Sequence, residues 1–193
     1  AARTQSLYRG TILADQIALT SGCNQAFCAT IATLAGPGDQ VIVPTPWYFN
    51  HAMWLSMSGI KAVPLPTDAT LMPDVDACAK LITPRTKAMV IVHLWGLPCK
   101  VAELTALAKA HGLRIIEDAS HAHGASKDGV SCGRMGDVSV FSLQGDKLVP
   151  AGEGGVLMTD DDATYDRALC MGDITRIIRM PTADRRFAAT SFG

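Results

Sequence analysis

The sequence predicts an α/β protein built on a mostly parallel, seven-stranded sheet with helices on both faces. Short apolar runs alternate with longer amphipathic ones, the rhythm of strands joined by helical crossovers. One run, Ala88-Met89-Val90-Ile91-Val92, is continuously apolar, as a strand buried on both faces must be. The polar clusters Ser21-Gly22-Cys23-Asn24, Glu117-Asp118 and Ser142 to Lys147 all fall where such strands end. Open parallel sheets bind their ligands at that edge.

In chain order, residues 17–20 read as a strand that runs into Ser21-Gly22 and a helix over 24–34, stopped by Gly36-Pro37-Gly38-Asp39. Residues 41–43 form the next strand, closed by Pro44 and Pro46. A helix over 49–57 ends before Gly59, and residues 60–65 are a short strand. Asp74 caps a helix running to Leu81. The apolar strand covers 87–93, and a helix with apolar residues at helical spacing covers 101–110, stopped by Gly112. Residues 113–116 form a strand that delivers Glu117-Asp118 at its carboxyl end. Strands at 138–142 and 155–159 and a helix over 162–171 complete the pattern.

Bulk properties narrow the function. With 193 residues, 48% of them hydrophobic, the chain can bury roughly two-thirds of its unfolded surface in one domain. A net charge of -1 without a basic stripe gives nucleic acid nothing to bind, and residues 176–186 read as a solvated segment. Six cysteines without a CxxC pair point to free thiols in a reducing, cytoplasmic setting. No basic-then-apolar leader opens the sequence, and no apolar run approaches the ~20 residues that span a bilayer.

The three clusters suggest chemistry. Ser21-Gly22-Cys23-Asn24 joins a strand to a helix, whose first N–H groups and dipole attract an anion while Gly22 allows close approach. The bland alternative is an ordinary helix cap made by Ser21 or Asn24. Asp118, at a strand end, can pair with a protonated ring nitrogen, and His121 lies three residues on. A metal site built from Asp118, His121 and His123 competes with that reading. Lys147 leaves a strand and enters the Gly152-Glu153-Gly154-Gly155 stretch, where a desolvated amine becomes a nucleophile toward an aldehyde; otherwise it is a surface lysine in a turn. Tyr48, after Pro46-Trp47, can stack on a flat cofactor or simply fill core.

Together these pieces resemble fold type I of the pyridoxal-phosphate (PLP) enzymes, the aspartate-aminotransferase fold. Residues 66–193 resemble the DegT/DnrJ/EryC1/StrS aminotransferases. The resemblance is carried by Thr83-Pro84-Arg85-Thr86-Lys87-Ala88, His93-x-x-Gly96-x-Pro98, Glu117 through Ala125, Gly136-Asp137, Phe141-Ser142 and Lys147 with Gly152-Glu153-Gly154-Gly155. It implies that Lys147 is the Schiff-base lysine and Asp118 the carboxylate at the pyridine nitrogen. Ser142 then binds phosphate and His121 lies near the cofactor oxygen. Residues 12–60 are similar to class I/II aminotransferases, through Thr20 to Phe27, Gly36-Pro37-Gly38-Asp39 and Pro46 to His51. That pattern makes Gly22 and Cys23 amide donors to the phosphate, with Ser21 and Asn24 beside them, and stacks Tyr48 on the ring. The mixture suggests a fusion, a chimera or an unusual lineage.

The family pattern further implies a cofactor-binding large domain over residues 1–193, without the N-terminal arm or the small C-terminal domain, assembled as a homodimer. The expected function is amino-group transfer from a small-molecule donor to a keto sugar, such as a nucleotide sugar, or a keto acid. An incomplete cofactor- or phosphate-binding module is the alternative. Neither membrane, nucleic acid nor a resident metal is expected.

Overall fold

The computed structural model describes residues 19–171. The predicted strand residues Ile17 and Ala18, the basic segment 176–186 and residues 190–193 lie outside them. Leu19–Thr20 (β1) leads into Cys23–Leu34 (α1), then Gln40–Thr45 (β2), Phe49–Met57 (α2) and Lys61–Pro66 (β3). Val75–Leu81 (α3), Thr86–Val92 (β4), Val101–Ala110 (α4) and Arg114–Asp118 (β5) follow. Two short strands, Ser126–Lys127 (β6) and Val130–Ser131 (β7), precede Val138–Ser142 (β8), Gly155–Thr159 (β9) and Asp162–Cys170 (α5).

The seven strands of the main sheet lie in the order β1-β9-β8-β5-β4-β2-β3. All contacts from β3 across to β8 are parallel, while β9 runs antiparallel to both β8 and β1. From β2 the chain steps to β3 on one side, whereas β4 and β5 lie on the other. That reversal makes a topological switch point at the carboxyl ends of β2, β4 and β5, the place where open α/β sheets bind ligands.

Side chains alternate across the strands and build two cores. Ile42, Met89, Ile91 and Ile115 face Cys78 of α3 and Leu104 and Ala108 of α4. Val41, Val43, Val90 and Ile116 face Phe27 and Ile31 of α1 and Leu55 of α2. The same alternation sends the neighbours Glu117 and Asp118 to opposite faces. Local chemistry fixes the helix boundaries: Asp74 accepts from the Ala77 N–H at 2.9 Å, and Asp161 from the Thr164 N–H at 2.7 Å. Gly112, with φ of 66°, takes the left-handed conformation that ends α4.

Two expectations need correction. β2 does not close at Val43 but continues through Pro44 to Thr45, paired with β3. Pro44 lies beyond Ile42, the last β2 residue in register with β4, so its missing N–H falls outside that ladder. The β6–β7 hairpin was not foreseen, although Asp128-Gly129, at φ of 52° and 80°, is a strong two-residue hairpin turn.

Candidate active site

The candidate site lies at this switch point, on the α1/α2 side of the sheet. β5 carries Asp118 to its carboxyl end, where the carboxylate is buried. Asp118 Oδ1 accepts from the Ser120 N–H at 3.0 Å, and Oδ2 lies 3.1 Å from His51 Nε2 of α2. Burial alone would favour the neutral acid, but the His51 and Ser120 bonds overcome it and hold the Asp118 carboxyl down at about 2. A carboxylate ionised near neutral pH therefore ends the strand. With that carboxylate ionised, His51 Nε2 must carry the bridging proton.

The start of α1 stands beside it. Gly22 is its N-cap, no side chain caps the helix, and its first turn has no acidic residue. The capping alternative for Ser21 or Asn24 therefore fails: the Ser21 N–H donates to Gln25 Oε1 at 2.7 Å, and Asn24 is exposed. A methyl group on Gly22 would meet nothing within 4 Å. Open space in front of an uncapped helix start suits a phosphate. Cys23 Sγ lies 3.1 Å from Ser120 Oγ. Burial, reinforced by the Asp118 charge, pushes the Cys23 thiol up to about 12, so it stays neutral and does not repel an anion.

The Gly152-to-Gly155 stretch acquires a physical role here. A Cβ on Gly155 would lie 2.6 Å from Cys23 N and from Gly22 C and O. The helix start rests directly on this strand residue, which only glycine allows. Ser142, buried at the end of β8, is in register with Gly155 and so borders the same cradle.

Lys147 arrives from the loop between β8 and β9, which is pinned by Ala151 N–H to Leu143 O at 2.8 Å and Leu143 N–H to Gly154 O at 2.9 Å. Its Nζ meets His121 Nε2 at 2.5 Å. Burial, then the Lys147 charge, lowers the His121 pKa, which favours a neutral imidazole whose Nε2 can accept from Lys147 Nζ. Tyr48 is half exposed, which removes the core reading; its ring meets His51 edge-on at 5.5 Å and its Oη accepts from Asn50 Nδ2 at 2.9 Å.

On the opposite face, Glu117 is fully buried and accepts from the N–H groups of Gly133, Met135 and Gly136 at 2.8, 2.7 and 2.6 Å. His93 Nδ1 accepts from the Cys99 N–H at 3.2 Å, so its proton sits on Nε2 and is donated to Glu117 at 2.8 Å. Burial works against the Glu117 charge, but His93 and the backbone donors outweigh it and lower the pKa. This carboxylate ties the loops after β4 and before β8 to the sheet. Glu117 therefore organises the scaffold, and Asp118 faces the site.

The family model of the DegT/DnrJ/EryC1/StrS aminotransferases matches residues 8–191. The chain belongs to this family. GDP-perosamine synthase of Caulobacter vibrioides is 40% identical over 147 residues, covering 76% of this chain and 40% of that protein. The aminotransferase TlmJ from Streptoalloteichus hindustanus superposes with a TM-score of 0.76 at 32% identity, over 81% of this chain and 43% of that one. The protein Spr1654 of Streptococcus pneumoniae, in its PLP-form, gives a TM-score of 0.75 at 25% identity, over 86% and 48%. The chain spans about two fifths of the length of the curated relatives it matches. The family match includes residues 12–60, so one family accounts for the segment that also resembled class I/II enzymes.

The fold thus brings Gly22, Cys23, Tyr48, Asp118, His121, Ser142 and Lys147 to one end of the sheet. Asp118 faces His51 and His121 faces Lys147, while the His123 ring packs against Phe141 at 5.2 Å. Among the described residues no three His, Cys, Asp or Glu side chains gather as a metal site. Sequence reasoning assigned no role to His51 or Ser120. Only their position, three residues after Tyr48 and two after Asp118, marked them as neighbours of chosen residues.

Proposed function

We propose that the chain is the PLP-binding large domain of an aminotransferase that transfers an amino group to a keto sugar, such as a nucleotide sugar, or to a keto acid. The observation that carries this reading is the meeting of Lys147 with His121, three residues past the buried Asp118 carboxylate, at the sheet end that holds the uncapped start of α1. Membership of a family of aminotransferases supports it.

Bound PLP supplies an electron sink at the substrate carbon. Gly22 and Cys23 offer amides to the phosphate, with Ser142 at the cradle's edge and Ser21 and Asn24 on its rim. Asp118, ionised throughout the physiological range, holds the ring nitrogen protonated. Tyr48 covers the ring face and His121 orients its oxygen. Lys147 would hold the cofactor through its aldehyde group, and its Nζ would serve as the acid and base that carries a proton at the reacting carbon.

The test is absorbance with added PLP. The chain should show a visible band that borohydride abolishes, and Lys147→Ala should show none. A band of equal intensity in Lys147→Ala refutes the assignment. Single-turnover formation of pyridoxamine phosphate from an amino donor distinguishes an aminotransferase from a module that only binds.

A homodimer belongs to the same reading: Trp47 and Phe49, 38 and 66% exposed, flank Tyr48, where a second copy can cover them. Sedimentation at micromolar concentration should show the dimer, and a monomer there rejects it. A cytoplasmic location belongs to the same reading, supported by the free thiols of Cys23, Cys28, Cys78, Cys99 and Cys132, and their recovery as disulfides from cells would contradict it.

A further inference from the structure

We infer that His51 is a positioning residue for the Asp118 carboxylate, fixing it for the cofactor's ring nitrogen; this inference rests on the PLP reading above. His51 is 3% exposed and is held by Phe27, stacked at 4.3 Å and 28°, and by Tyr48, edge-on at 5.5 Å. Its Nε2–H reaches Asp118 Oδ2 at 3.1 Å. Ser120 N–H holds Oδ1 at 3.0 Å. Two donors, one on each oxygen, set the plane of the carboxylate, and each oxygen keeps a further lone pair for another donor.

The other ring nitrogen argues against mere packing. His51 Nδ1 is buried without a hydrogen-bond partner among the described residues. A phenylalanine or leucine would fill this apolar niche without burying a bare nitrogen. What the imidazole alone adds is the Nε2–H aimed at Asp118. Through Tyr48 the same ring also touches the aromatic residue placed over the cofactor. His51 thus links the floor of the site to its cover.

The experiment compares the full-length protein with His51→Phe and His51→Gln, each titrated with PLP by fluorescence quenching and by visible absorbance. Loss of outer-shell partners of metal ligands typically weakens binding by about ten- to a hundredfold, and His51→Phe should raise the PLP dissociation constant by a similar factor and alter the visible band. His51→Gln, whose Nε2 carries the same donor, should restore both in part. In an Asp118→Ala background, where no carboxylate remains to be placed, His51→Phe should have no further effect. An unchanged dissociation constant and band in His51→Phe overturns the inference, as does an effect of equal size in the Asp118→Ala background. Should the unsubstituted protein bind no PLP, the cofactor reading itself falls, a result distinct from either of these.

Discussion

Substituting Gly155 isolates the contact on which the anion cradle rests. In Gly155→Ala the new methyl group would stand 2.6 Å from Cys23 N, Gly22 C and Gly22 O. All three are backbone atoms, so no side chain can rotate away. Gly155 is itself fixed between Thr20 of β1 and Ser142 of β8, so the strand cannot retreat and the start of α1 must lift. Overpacking of this kind typically costs about 1–3 kcal/mol, and the rigid neighbours place Gly155→Ala at the upper end. At ~2–4 °C per kcal/mol for a domain of this size, the melting temperature should fall by roughly 6–12 °C. Gly22→Ala is the matched control. Gly22 has φ of 175°, an extended backbone open to any residue, and its methyl group would touch nothing within 4 Å. Its stability cost should stay below about 1 kcal/mol, the scale of an N-cap change, while PLP affinity drops because the methyl group enters the cradle. Thermal melts by circular dichroism and PLP titrations read both variants. A Gly155→Ala melting point within a degree of the unsubstituted protein, or a larger stability loss in Gly22→Ala, refutes the reasoning.

Three further outcomes follow from the buried groups and caps. Because the Asp118 carboxyl is held down at about 2 when folded, against about 3.9 unfolded, its stabilising contribution is complete above roughly pH 5 and disappears as the pH falls through 2, about 2.6 kcal/mol in all; acid denaturation curves of Asp118→Asn should lack this component. Glu117→Gln places an amide where the carboxylate accepts four donors, and should cost about 3–5 kcal/mol in urea unfolding, with Glu117→Asp milder; a loss under 1 kcal/mol would contradict the proposed scaffold role. Asp74→Ala removes the N-terminal side-chain cap of α3 and should cost about 1 kcal/mol in the same assay without changing PLP binding.

Much of the fold was legible along the chain because its determinants are local. The helix over 49–57 and the strands at 138–142 and 155–159 follow from periodicity and bounding Gly and Pro, and their ends match the structure residue for residue. β2 ran past its expected end because a proline ends a strand only where its N–H is required, and that depends on the neighbour. The candidate site was legible as residue types at strand ends, since the alternation of strand and helix implies which edge gathers the loops. Asp118, Lys147 and Gly22 could be singled out in that way.

The sequence by itself determined the α/β alternation, the strand ends that carry Gly22, Asp118 and Lys147, and the cap at Asp74. Only the tertiary structure decided that His51 meets Asp118 across 67 residues, that Glu117 turns away to bind His93, and that Gly155 supports the helix start. Periodicity and capping act within a few residues of the chain. Carboxylate partners and steric limits are set by whichever backbone the folded sheet brings alongside, which spacing along one strand does not encode.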